Sequence, residues 1–251
     1  MAPARISAIV ATRDRPRLLA AALAGIAAQH AAPLEVRIGD AGGSSAAAVA
    51  EASGLLEVTV VPVDGGSAAV VRNRAAAGAR GDVLAFLDDD DLWLGDHLSG
   101  LAAAFSDPAV GLAYRDAAVV REQTTTGGAR IERERRVIAR DWDAELMGRW
   151  DYIPPSALAI RRDLYERLGG FDESLRYSED WDLILRAAAA APATPRRVPG
   201  VTVEVRMRDA GNASADRGPE RRACLDRLSA RHGLAPIEIA TFWEVAEAVG
   251  R

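Results

Sequence analysis

Lysine is missing altogether: all 31 basic residues of this 251-residue chain are arginine. That excludes a Walker-type phosphate loop, Schiff-base chemistry and pyridoxal phosphate catalysis, each of which needs a lysine amine. An anionic ligand must instead be held by arginine, by main-chain N–H groups or by a metal. Cysteine occurs once, at Cys224, so an intrachain disulfide and a thiolate metal cluster are excluded, and the chain suits a reducing compartment. Long apolar runs are also lacking: the longest, Leu18 to Ala28, is too short to span a bilayer. No basic stripe dominates the net charge of -5, which argues against a nucleic-acid partner. The start, Met1-Ala2-Pro3-Ala4-Arg5, leads straight into a strand-like segment without the apolar core of a signal peptide. A cytoplasmic protein is therefore expected, with no transmembrane segment and no membrane contact through the arginines of its last helices.

What is present is enough apolar residue, 49%, for a real core in one large α/β domain or a domain with an appended part. The chain is organised around Val83-Leu84-Ala85-Phe86-Leu87-Asp88-Asp89-Asp90-Asp91-Leu92-Trp93, where five apolar residues run into four carboxylates. A short, fully apolar run bounded by Gly81 and charge reads as a strand buried on both faces. The aspartates then sit where the strand leaves the sheet. In open α/β sheets that edge binds ligands, and clustered hard oxygen donors there suit a divalent cation that also grips phosphate. A merely solvated acidic turn would not need a buried strand to aim it.

Along the chain, apolar runs at Ile6–Ala11, Leu34–Ile38, Leu56–Val61 and Val83–Leu87 alternate with helical periodicity. Leu19, Leu23 and Ile26 mark the first helix, an alanine-rich stretch the second, and a third is expected over about 68–79. Four such alternations argue a parallel sheet with right-handed crossovers. The loops at Thr12, Asp40, 64–67 and the aspartate run then line one crevice, which argues for a nucleotide site. The second half reads as mixed or antiparallel. Strands are expected at 111–120 and 130–138 around a Thr124-Thr125-Thr126-Gly127-Gly128 turn, with others at 157–160 and near 201–206. Helices are expected at 143–149, 162–168, 179–191, 218–232 and 236–249.

A second carboxylate pair, Glu179-Asp180, lies between Tyr177 and Trp181 at the start of a periodic helix, behind the turn Leu168-Gly169-Gly170-Phe171-Asp172. Acidic residues favour a helix start through the helix dipole alone. The functional reading is a general base brought to the crevice by the glycine turn. The segment Trp150, Tyr152, Pro154, Pro155, Ser156 either stacks on an acceptor or packs in the core. His30, His97 and His232 receive no catalytic role.

Five elements in order, Thr12-Arg13-Asp14-Arg15-Pro16, Gly39-Asp40, Arg72-Asn73-Arg74, Asp88-Asp89-Asp90-Asp91 and Glu179-Asp180-Trp181-Asp182, resemble the family 2 inverting glycosyltransferases of the GT-A fold over about residues 5 to 215. The resemblance implies an α/β fold: a Rossmann-like nucleotide-binding sheet over about 1–92, a mixed acceptor-side portion over about 93–215, and a C-terminal helical extension over 216–251. It also implies a glycosyltransferase of the hexosyltransferase class. Such an enzyme moves a sugar from a nucleoside diphosphate, UDP or dTDP favoured, to an acceptor hydroxyl with inversion, and it uses Mn²⁺ or Mg²⁺.

By position in the family pattern, Thr12 and Asp40 match base and ribose contacts, with Asp40 accepting from the imide N–H of uracil or thymine. Arg72 and Asn73 join the donor-binding set. Asp88 and Asp89 match the front of the DxD motif, Asp90 the metal ligand, and Asp180 the base, with Glu179 beside it. Three positions depart from the pattern. Arg13 stands where relatives usually carry tyrosine, so a guanidinium plane would stack on the base. Gly39 replaces an aspartate. In Arg206-Met207-Arg208-Asp209-Ala210-Gly211-Asn212, Arg208 is nearest to where relatives often have a histidine, and it would neutralise the leaving diphosphate. The rival readings are a catalytically inactive nucleotide- or metal-binding module of the same fold and a sugar nucleotidyltransferase. The latter would want a glycine-rich loop with lysine after the first strand. The acceptor, whether glycan, lipid-linked sugar or small natural product, stays open.

Overall fold

The computed structural model of the chain describes residues 3–43, 45–125, 130–190, 195–208 and 215–250. The first half alternates strictly: β1 (Ile6–Thr12), α1 (Pro16–Ala27), β2 (Glu35–Asp40), α2 (Ser45–Ala52), β3 (Val58–Pro62), α3 (Ala68–Ala76) and β4 (Val83–Asp88). Then come β5 (Leu92–Trp93), α4 (His97–Ala104), β6 (Leu112–Thr124), β7 (Arg130–Ile138) and α5 (Ala144–Met147). A 3₁₀ turn (Pro155–Ala157), β8 (Leu158–Arg161), α6 (Arg162–Arg167), α7 (Glu179–Ala190), β9 (Arg196–Met207), α8 (Pro219–His232) and α9 (Phe242–Val249) complete the order. The expected turn residues 126–128, Ser44, and the loop 209–212 lie outside the described residues.

The strands form one sheet in the order β3-β2-β1-β4-β8-β6-β9-β5, with β7 on β6. β3, β2, β1 and β4 are parallel, and their register brings Thr12 level with Asp40, and Ala11 level with Asp88. The following loops therefore leave along one edge, as the alternation predicts. Past β4 the sheet turns mixed: β8 runs antiparallel to both β4 and β6, while β6 and β9 are parallel.

Several boundaries differ from the expected ones, each for a packing reason. Leu56 is 97% exposed and takes no part in β3, whose pairing with β2 starts at Val58. β9 begins at Arg196, well before 201, because its first residues pair with Ala113 to Arg115 of β6. The two-residue β5, paired with β9, is too short to show in hydropathy. α9 starts only at Phe242, where Thr241 and Glu244 close a capping box.

β4 is buried along its apolar length, and one hydrophobic cluster joins it to residues of every later part, including Leu225 and Leu228 of α8 and Trp243 and Val249 of α9. The guanidinium groups of Arg121 and Arg136 both lie over the Trp243 ring, 4.0 and 4.5 Å from its centroid. Among the described residues no helix is long and apolar enough to cross a membrane.

Candidate active site

The edge where β1 and β4 end opens into a cleft of about 470 Å³, whose far wall is α7 with parts of α8 and α9. Thr12, Arg13, Arg72, Asp88, Asp89, Asp90, Glu179 and Asp180 all line it, although they come from four separate segments.

On the β4 side, the four aspartates divide. Asp89 is buried and accepts from Thr12 Oγ1 at 2.7 Å and Arg15 Nη1 at 3.1 Å. Burial pushes its carboxyl up to about 6, against the pull of those two donors. Asp90 is partly open, and its Oδ2 accepts from Arg208 Nη2 at 2.6 Å and Arg15 Nη1 at 3.2 Å. Burial and the neighbouring Asp88 push it upward. Asp91 is turned inward and does not join the cluster expected from the sequence. Its oxygens accept from Ser156 Oγ at 2.5 Å and the Arg206 amide at 3.0 Å, tying the turn to the 3₁₀ turn and to β9.

Across the cleft, Arg72 of α3 is buried between two carboxylates, 2.5 Å from Asp88 and 2.6 Å from Glu179. This guanidinium fixes the spacing between the β4 turn and the start of α7. Burial drives Glu179 up to about 7, with Arg72 opposing and Asp180 adding to it. The buried Asp180 is likewise raised by desolvation, against the pull of Arg72. Its Oδ1 accepts from the Trp181 amide at 2.9 Å. Ser178, just before α7, holds φ +62°, a left-handed conformation that costs a non-glycine residue and is found where surroundings over-determine it.

Three expected site residues are not part of the cleft wall. Asp40 sits just beneath it: Oδ1 accepts from the amides of Gly42 and Gly43 at 3.0 and 3.3 Å, while Oδ2 is buried without a hydrogen bond. Arg208 meets the site at Asp90, 2.6 Å from its Oδ2. Asn73 faces away. It donates to Phe171 O at 2.9 Å and Glu173 at 3.0 Å, and accepts from the Phe171 amide at 2.9 Å and from Tyr165 Oη at 2.5 Å. Its work is to pin the Gly169-Gly170 turn. The aromatic segment splits as well, with Trp150 and Pro155 on the cleft and Tyr152, Pro154 and Ser156 in the interior. Asp182 is fully buried among Arg186, Arg231 and His232, which anchors α8 to α7. His97 is buried against Trp93, 4.5 Å between centroids, with Nδ1 3.0 Å from Thr202 Oγ1.

A buried polar atom without a partner costs about 1–3 kcal/mol and so asks for an explanation. Asp40 Oδ2, Ser67 Oγ, Arg72 Nε and Asp151 Oδ1 are four such atoms, and all belong to residues in this cleft or directly beneath it. A polar ligand filling the cleft would supply what they lack.

The sequence pattern of Glycosyl transferase family 2 matches residues 7–169. This chain belongs to that family. A glycosyltransferase of Bacillus subtilis (strain 168), YwdF, described as uncharacterized, is 32% identical over 240 residues, covering 95% of this chain and 88% of its own. An uncharacterized glycosyltransferase of Haemophilus influenzae is 28% identical over 77% of this chain and 65% of its own. Among solved structures, S. aureus TarS 1-349 in complex with UDP-GlcNAc superposes with a TM-score of 0.66 at 17% identity, over 90% of this chain and 66% of that one. Mannosyltransferase PcManGT from Pyrobaculum calidifontis, in complex with GDP-Man and Mn²⁺, gives 0.63 at 22%, over 92% and 64%. This chain spans less than two thirds of the length of either structure. The fold is the GT-A fold.

In this glycosyltransferase the family match ends at residue 169, so Glu179, Asp180 and the wall formed by α8 and α9 lie beyond it. Two further cleft residues stand outside the candidates that the sequence offers. Asp151 is pushed well up by burial, and Asp180 adds to it; its only sequence signal is a carboxylate between two aromatics. Arg15 stands inside the quoted Thr12–Pro16 segment, and nothing local shows that it reaches two aspartates more than 70 positions away. Do the residues fit a divalent cation? No three His, Cys, Asp or Glu side chains among the described residues are grouped to hold a metal by themselves. The partly open carboxylate of Asp90, crowded by Asp88 and by its own desolvation, does suit a hard cation that takes its remaining ligands from phosphate and water. That is the usual habit of Mg²⁺.

Proposed function

We propose that this glycosyltransferase moves a sugar from a nucleoside-diphosphate donor, UDP or dTDP favoured, to an acceptor hydroxyl by one inverting displacement assisted by Mn²⁺ or Mg²⁺. The observation that carries this reading is the cleft in which the β4 carboxylates face Asp180 across Arg72, with four buried polar atoms without partners in its wall or directly beneath it. The nucleotide sugars and Mn²⁺ bound by the two solved neighbours support it.

In this reading Asp40 Oδ2 accepts from the imide N–H of the base, Thr12 lines the base and ribose, and the Arg13 guanidinium stacks on the ring. Asp88 and Asp89 face ribose and phosphates. Asp90 holds the cation, and Arg208 meets the diphosphate. Bound there, a divalent cation supplies a Lewis acid for the charge developing on the leaving group. Asp180 takes the acceptor's proton while the acceptor oxygen bonds the anomeric carbon, and the electron pair of the breaking bond leaves with the diphosphate. Glu179 orients Arg72, which ties donor and acceptor sides together. Asn73 passes from donor binding to positioning the turn before α7. Residues 1–215 form the transferase domain, and 216–251 extend it over the cleft. The single cysteine supports a cytoplasmic setting.

Thermal denaturation with UDP-, dTDP- and GDP-sugars, with and without Mn²⁺, tests the reading, because a ligand of the folded state alone raises its stability. A larger upward shift for UDP or dTDP, dependent on Mn²⁺ and lost in Asp90→Ala, is expected. No shift with any of them would overturn it.

A further inference from the structure

The Asp90 carboxylate, the candidate cation ligand, is already engaged. Its Oδ2 accepts two charge-assisted hydrogen bonds, from Arg208 Nη2 at 2.6 Å and Arg15 Nη1 at 3.2 Å. Arg15 Nη1 also bonds Asp89 Oδ1 at 3.1 Å. These arginines arrive from opposite ends of the fold. Arg15 caps α1, with Pro16 fixing the backbone behind it. Arg208 follows β9, whose end is itself tied to the β4 turn through the Arg206 amide on Asp91. Arg15 is therefore held by the helix start it caps, and Arg208 comes directly off the paired end of β9.

A divalent cation on Oδ2 would stand beside two guanidinium groups, and in a partly desolvated site like charges at such range repel strongly. A diphosphate reverses the balance. Its oxygens match the arginine forks bidentately, and its negative charge relieves the crowding of cations.

We propose that Arg15 and Arg208 latch Asp90 in the ligand-free enzyme, that a diphosphate draws both guanidinium groups away, and that cation and diphosphate therefore bind as one coupled unit. This rests on the reading of Asp90 as the cation ligand. Arg15 becomes, with Arg208, a diphosphate-binding residue. Linkage makes the coupling reciprocal, so each ligand raises the other's affinity by the same factor.

Calorimetric titration tests this with MnCl₂ alone, with UDP and GDP alone, and with each nucleotide in the presence of Mn²⁺. The wild type, the Arg15→Ala/Arg208→Ala double variant and Asp90→Asn are compared. In the wild type Mn²⁺ should bind at least about tenfold more weakly alone than with the nucleotide, within the usual range of coupling. The double variant should bind Mn²⁺ alone about tenfold more tightly than the wild type, and nucleotide alone more weakly. If it fails to melt cooperatively, the single variants Arg15→Gln and Arg208→Gln should each show part of both shifts. Equal affinity for Mn²⁺ alone in the wild type and the arginine variants would overturn the latch, while loss of Mn²⁺-dependent nucleotide binding in Asp90→Asn would leave the cation reading standing. Unchanged Mn²⁺-dependent binding in Asp90→Asn would overturn both.

Discussion

At the scale of single residues the cleft holds more buried carboxyl groups than its arginines can fully compensate. Glu179 is the clearest case, raised from its ordinary 4.5 to about 7 by burial despite Arg72 at 2.6 Å. A carboxyl raised in the folded state binds a proton there that the unfolded chain releases, so its contribution to stability is present below about 4.5 and is lost as pH rises through about 7. Melting temperature should therefore fall between those pH values. Glu179→Gln should flatten that fall, by an amount on the order of 1–3 kcal/mol; an unchanged pH profile would contradict the assignment. Asp180 makes a different prediction. Asp180→Asn keeps the shape but removes the basic lone pair, so turnover should drop on the order of 10²- to 10⁴-fold with donor affinity nearly unchanged. Were Asp180 only a helix-start residue, turnover would stay within a few-fold and melting alone would move. Asp182 is no substitute, since Arg186, Arg231 and His232 already occupy its oxygens in the interior.

Elements carry these residues to their places, and α7 depends on the turn before it. Gly170 has φ +73°, and a Cβ there would lie 2.6 Å from Asn73 Oδ1, the atom that accepts from Tyr165 and from the Phe171 amide. Gly170→Ala thus combines a left-handed alanine, about 1–2 kcal/mol, with displacement of the clamp that sets the start of α7. A lower melting temperature together with reduced turnover is expected. Wild-type turnover in a destabilised Gly170→Ala protein would show that the clamp does not position Asp180.

The molecule as a whole is one core rather than a sheet with a detachable tail. Leu225, Leu228, Trp243, Val245 and Val249 belong to the same buried cluster as β4, and α8 is tied to α7 by Arg231 and His232 on Asp182. Losing one large buried side chain costs about 3–5 kcal/mol, against a typical total stability of about 5–15 kcal/mol. A chain ended after residue 215 should accordingly show no cooperative melting transition. A sharp transition in that fragment would make 216–251 a true appendage.

The local pattern was enough for the alternation of β1 to α3, the buried β4 and the crevice at its end, because burial on both faces and helical periodicity are written in nearest neighbours. Register then follows from parallel pairing, which brings Thr12, Asp40 and Asp88 level. The pattern could not tell Asp90 from Asp91: neighbours in one turn point to opposite sides, and only the packing of Ser156 and β9 decides which is consumed inside. Nor could it show Asn73 turned from the cleft, Arg15 and Arg208 closing on Asp90, or Arg72 held by a carboxylate 107 positions away. Those pairings join segments remote in sequence, so no local signal records them, and they form only once the sheet has brought its loops to one edge.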